Sequence, residues 1–225
     1  MTNGIKVKKR NGRGTESLQL EKMHKMVEEA CNGLAGVSAS QVEINSGIQF
    51  YDGITTEEIQ EILIKSASDL IDLEHPNYQF VAARLLLFSL RKQLFGRMHE
   101  NPSVKEHVAN CVEKGVYDPE LLDLYSDEEY NKLQSFIDHD RDYIFTYAGL
   151  RQVVDKYLVQ DRSDGSVYET PQFMYMLIAA SIFSKYPIET RLDYVRKYYD
   201  AISRHRINIP TPIMAGVRTP IRQFA

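Results

Sequence analysis

From residue 20 to residue 203 the apolar side chains recur at helical spacing with few breaks, and the one strong strand signal lies ahead of them. That order predicts a mainly α-helical chain. Residues 4–9, GIKVKK, alternate apolar and basic side chains; Asn11-Gly12 follows, then a second alternating run, TESLQL, at 15–20. Asn-Gly between two alternating runs is the strongest short-range hairpin signal. A hairpin this small buries too little to stand alone, so it must cap the helices behind it.

Leu20, Met23, Met26, Val27, Ala30 and Leu34 place a first helix over 20–34. Ser38 or Ser40 can cap a second through Val42, Ile44, Ile48 and Phe50, ended by Asp52-Gly53. Thr55 with Glu58 forms a capping box for a third, with Ile59, Ile62, Leu63 and Ala67 inward. His75-Pro76 opens a fourth, about 77–97, which Gly96 closes, so residues 1–97 form one module. Asn101-Pro102 reads as a junction. Helices are then expected at about 103–114, 119–125, 127–141, 145–158, 171–184 and 188–203, giving a helical domain over 98–206. Ser126 with Glu129 is a second capping box, and Asp164-Gly165 turns a minor hairpin between Leu158 and Tyr168. Residues 207–214, INIPTPIM, read as a strand feeding VRTPIRQFA, so 207–225 is expected to end on a strand with nothing to pair with, an incomplete fold.

A chain of 225 residues suits one large domain or two smaller ones, and its 43% hydrophobic content supports a packed core. A net charge of −4 argues against general nucleic-acid binding. Residues 1–13 nonetheless hold Lys6, Lys8, Lys9, Arg10 and Arg13 with no acid. Cys31 and Cys111 each fall in a helical pattern far from the other, which suits idle thiols rather than a disulfide or metal site. With no signal-peptide core and no bilayer-length apolar run, a soluble, intracellular chain without a membrane partner is expected.

The glycine patterns that cradle phosphates, G-x-x-x-x-G-K-[ST] and G-x-G-x-x-G, do not occur. A bound nucleotide would have to meet side-chain cations instead. Lys9 and Arg10 beside the turn, Lys22 on the first helix, and Arg91-Lys92 on the fourth are available. Two or three such cations on a triphosphate contribute a few kcal/mol each at about 4 Å, although on spacing alone these residues read as solvated lysines and arginines. Asp138-His139-Asp140-Arg141-Asp142 could suggest a divalent metal, but the other histidines lack the spacing to complete such a site, and a helix-end cluster pairing Asp with Arg141 fits better. No G-x-S-x-G nucleophile elbow occurs, and the tyrosines from 143 to 199 recur at helical spacing, as core aromatics do. Thr211 lies between two prolines, ahead of Gly216 and Thr219-Pro220; such a loop suits an anion, and a proline-rich tail fits equally.

KRNG, ESLQLEK, IQFYDGITTEEIQ, IKSASDLI and YQFVAARLLLFSLRK resemble the ATP-cone of class I ribonucleotide reductase large subunits. YDPELL, FIDHDRD, KYLVQD, YETPQFMYM and PTPIMAGVRTPIRQF are similar to the region that follows it, so the resemblance runs in order along essentially the whole chain. It implies a small β-hairpin capping a four-helix ATP-cone, then a helical domain and the first strand of an incomplete α/β barrel.

The resemblance further implies ATP or dATP, with Mg, as an allosteric effector at an overall activity site. Matched by position, that site comprises Lys9, Arg10, Glu16, Ser17, Leu18, Gln19, Leu20, Glu21, Lys22, Thr56 and Lys92, the cations of the turn and the fourth helix converging on one triphosphate. KRNGRGTE is one residue longer than the family pattern, and Gln60 and Ser89 stand where some members have histidines, which implies altered affinity or lost dATP discrimination. Thr211 matches a position near the substrate diphosphate. The family reduces ribonucleoside diphosphates with a thiyl radical and a cysteine pair expected beyond RQFA, so this chain should hold no catalytic residue and no metal, and be inactive alone. Expected partners are a complementing C-terminal chain, a radical-generating small subunit, thioredoxin or glutaredoxin, and further copies in an oligomer; a split subunit, a precursor half and an incomplete gene stay open. Two rival readings are a stand-alone ATP-cone regulator, which would need a four-cysteine zinc ribbon where only two cysteines exist, and a helical interaction protein without enzyme activity.

Overall fold

The computed structural model describes residues 5–9, 14–47, 49–161 and 163–221. Contacts divide the chain into two compact units: residues 1–89 with 145–151, and residues 90–144 with 152–225.

The first unit opens with β1 (Lys6–Lys8) and β2 (Thr15–Ser17), paired antiparallel with Val7 opposite Glu16. The expected hairpin is therefore present, while its Asn11-Gly12 tip lies outside the described residues. A third strand, β3 (Ile54–Thr55), joins β1 in parallel with Val7 opposite Ile54, giving the order β2-β1-β3. Sequence pattern did not anticipate β3, because two residues carry no period. Asp52-Gly53, expected to end the second helix, instead docks this strand. Asp52 Oδ1 accepts from Lys6 N at 2.8 Å, Gly53 N donates to Lys6 O at 2.8 Å, and Gly53 holds a φ of 87° that suits glycine.

Helices α1 (Leu20–Cys31), α2 (Ala39–Gly47) and α3 (Thr56–Ser68) follow, with α4 (Tyr78–Phe95). The inner face of α1 buries Met26, Val27 and Ala30, but Leu20 is 60% exposed and Ile44 of α2 is 66% exposed, so both depart from the inward positions expected. Both side chains border one cavity. Arg84 Nη1 donates to Ala30 O and Asn32 O, satisfying carbonyls at the end of α1. The α3 capping box is present as read: Thr55 Oγ1 accepts from Glu58 N, and Glu58 accepts from Thr55 N. From Val81 to Phe88, α4 is buried on nearly all sides, and Gly96 follows it at a φ of 74°.

The second unit contains α5 (Val104–Glu113), α6 (Asp127–Phe136), α8 (Pro171–Phe183), α9 (Ile188–Ser203) and α10 (Thr211–Gly216); α7 (Tyr147–Lys156) begins in the first unit and ends in the second. Its centre is α8, in which Pro171 through Ala180 are all buried, packed most extensively against α9. A helix apolar all round belongs inside. Capping boxes start α5 (Ser103 with Glu106) and α6 (Ser126 with Glu129). The stretches expected as helix at 119–125 and in the latter part of 127–141 are shorter 3₁₀ turns, Pro119–Leu122 and His139–Ile144. Asp118 and Asp138 take the neighbouring Glu120 and Asp140 amides, which competes with α-helical pairing. The bridge between Gln160 and Val167 matches the small hairpin expected around Asp164-Gly165.

The strand expected over 207–214 is not formed. Residues 211–216 make the short helix α10, with Pro210 as N-cap, Pro212 in the first turn, and Ile213 N and Met214 N both donating to Pro210 O. Proline is tolerated there because a first-turn amide has no helical acceptor, whereas a strand needs a partner that the described residues do not offer.

Candidate nucleotide site and the surroundings of Thr211

β1 and β2 pair with Val7 opposite Glu16, which leaves Glu16 within reach of Lys9, two residues beyond Val7. The Lys9 and Glu16 side chains pair at 2.8 Å, and Lys9 followed by Lys22 holds the Glu16 carboxyl below the usual range. The N-cap of α1, Gln19, supplies no side-chain cap. Lys9 thus pairs with Glu16, and the charge of Lys22, in the first turn of the twelve-residue α1, acts on the same carboxylate. Thr56 begins α3 directly after Thr55, the partner of Lys8 in β3, and its hydroxyl donates to Glu57 at 3.1 Å.

Leu18, Leu20 and Glu21 line a cavity of about 720 Å³ together with Ile5, Met23, Ile44 and Phe50. His24 borders it, held between Glu28 and Glu43 at 3.1 and 2.8 Å, and Glu43 chiefly raises its pKa. Ser17 and Gln19 are exposed. Lys92 lies in the last turn of α4. Arg10 lies outside the described residues. Gln60 is 6% exposed and accepts from Ser89 Oγ at 2.9 Å, so these two positions bond to each other.

In the second unit Thr211 is the first residue of α10, and a cavity of about 520 Å³ beside it is lined by Pro212, Ala215, Gly216, Lys156 and Leu158 among others. Asp138 and Asp200 flank Arg141 at 3.2 and 2.7 Å, a charge cluster of the expected kind. Burial drives His139 down to about 4, its ring packs edge-on against Phe173, and neither ring nitrogen has a hydrogen-bond partner among the described residues. Among the described residues no group of three or more His, Cys, Asp or Glu side chains could hold a metal ion, and none of their helices is long and apolar enough to cross a membrane.

Residues 5–93 match the family described as ATP cone domain, and residues 143–222 match ribonucleotide reductase, all-alpha domain. The chain is 53% identical over all 225 residues to ribonucleoside-diphosphate reductase 1 subunit alpha of Salmonella typhimurium, and 52% identical to that of Escherichia coli. This chain belongs with the N-terminal region of ribonucleotide reductase alpha subunits. Subunit alpha of Enterobacteria phage T4 is 45% identical over 213 residues, 94% of this chain. The chain spans 29%, 29% and 28% of the lengths of these three relatives. The ATP cone thus takes in the sheet, α1 to α3 and α4 as far as residue 93, including Lys92; the all-alpha domain takes in α7 to α10.

Sequence reasoning passed over the fully buried Arg218 and Glu169, which pair with each other. They lie 49 residues apart, and no periodic pattern links them. Arg218 was visible only as one letter of VRTP.

Proposed function

We propose that the cone binds ATP or dATP, with Mg, and thereby sets the overall activity of a ribonucleoside-diphosphate reductase. The observation that carries this reading is the convergence of Lys9 and Lys22 on Glu16 beside an α1 start that lacks a side-chain cap. A triphosphate there would exchange the Glu16 partner of Lys9 for phosphate oxygens and face the positive end of α1. Arg10, Thr56 and Lys92, with the stretch from Glu16 to Lys22, complete the proposed ligand set. Control requires that ATP and dATP make different contacts and bias two states of the assembly unequally.

In this reading Thr211 contributes to holding the substrate diphosphate, and the reduction itself belongs to the remaining length of an alpha subunit, which this span does not cover. A complementing C-terminal segment or chain, a radical-generating small subunit, and thioredoxin or glutaredoxin would be its partners in a cytoplasmic, oligomeric enzyme. Calorimetric titration with ATP and with dATP tests the regulatory half. Saturable binding of at least one is expected; no heat from either rejects the site.

A further inference from the structure

We infer that Arg218, clamped by Glu169, is a positioning residue that fixes α10 and with it Thr211. The inference rests on the reading of Thr211 as a diphosphate contact.

Arg218 and Glu169 are both fully buried. Arg218 Nε donates to both Glu169 oxygens, at 3.0 and 2.8 Å, and Nη2 donates to Glu169 and to Tyr157 O. Nη1 donates to Met214 O, in the last turn of α10, at 2.5 Å. The Arg218 carbonyl accepts from Asp118 N at 3.0 Å. Glu169 also accepts from Val159 N at 2.7 Å and from the Tyr117 hydroxyl, which lies 3.1 Å from His107 Nε2.

A six-residue helix has little stability of its own, because nucleation is unfavourable and few bonds repay it. Here one guanidinium ties its end to the loop before α8, to the end of α7 and, through its own carbonyl, to Asp118. The planar fork suits this task; a lysine ammonium in its place would reach only part of the set. Maintaining two buried charges is a poor route to stability alone, since well-packed apolar residues often serve as well. Their geometry therefore points to placement of α10.

The test uses the complete reductase of which this region is the N-terminal part, with Arg218→Lys and, as control, Thr211→Val. For a positioning role, Arg218→Lys raises KM for a ribonucleoside diphosphate about tenfold, equivalent to about 1.4 kcal/mol, with kcat little changed. A merely structural role lowers apparent kcat through loss of folded enzyme and leaves KM alone, which overturns the inference. If Thr211→Val raises KM while Arg218→Lys does not, the inference fails and the reading of Thr211 stands; if neither moves KM, the reading fails and the inference with it. Hydrogen exchange on the unmodified chain is a second readout that needs no variant. The Ile213, Met214 and Val217 amides should be protected nearly as well as those of α8, and free exchange overturns the clamp. Should Arg218→Lys not fold, Glu169→Gln, which keeps the shape of the side chain and removes its charge, replaces it in the same kinetic comparison.

Discussion

Arg91 donates to the Asp142 carboxylate at 3.3 Å, and both side chains are almost completely sealed from solvent. Gln172 Nε2 donates to the other Asp142 oxygen at 2.9 Å, and Gln172 Oε1 accepts from the Tyr199 hydroxyl, so the pair is held inside a polar network around α8. Burial pushes the Asp142 carboxyl up to about 6 despite Arg91. Between the unfolded value of 3.8 and this folded value the native state binds more protons than the unfolded one, so this group lowers stability as pH rises through that window and adds a constant penalty above it. Arg91→Met leaves the carboxylate unpaired. We expect a loss of about 3–5 kcal/mol at pH 7.5 and a smaller one at pH 5, where Asp142 can take a proton. Urea denaturation at the two pH values measures this, and an equal loss at both contradicts it.

Lys9→Ala combined with Lys92→Ala should weaken ATP binding at least about tenfold, or about 1.4 kcal/mol, without unfolding the cone. Lys9 is solvent-accessible and pairs only at the surface, so its removal has little structural cost. Calorimetry beside circular dichroism decides it: unchanged affinity in a folded double variant rejects the proposed ligand set.

Thr55→Ala should cost the cone about 1 kcal/mol, because the α3 amide at Glu58 loses its acceptor. Tyr51 also donates to Glu58 at 2.8 Å, which keeps that carboxylate near its place, so the loss should be limited to the cap. A shift in the urea midpoint with unchanged slope is the expected signature, and no shift would contradict the cap's contribution.

Neither thiol should react readily in the native chain. Burial pushes Cys31 up to about 11 and Cys111 up to about 12, leaving almost no thiolate at neutral pH. Mass spectrometry after brief iodoacetamide treatment at pH 7.5 should find both alkylated far more slowly than in denaturant, with Cys111 the slower. Rapid native labelling of Cys111 would contradict its burial.

The helices were legible because each is written in adjacent residues. The Thr55–Glu58 and Ser126–Glu129 boxes can be read three residues apart, and α4, α8 and α9 lie within a residue or two of the spans expected. The strand pair β1 and β2 was legible for the same reason. The family likeness of the whole chain was also carried by its letters, since it depends on matched motifs rather than on contacts.

What those letters left open was settled by partners distant along the chain. β3 exists because Gly53 and Asp52 bond to Lys6, and α10 replaces an expected strand because Pro210 can accept from the amides that follow Pro212. The expected nucleotide positions fall partly around Glu16 and partly along an apolar cavity, a division set by how α1 leaves the sheet. Sequence alone determined the mainly helical character, the caps and the family. Tertiary structure alone decided which charges are buried, because the cost of removing Arg91, Asp142, Glu169 and Arg218 from water depends on where packing brings their counter-charges.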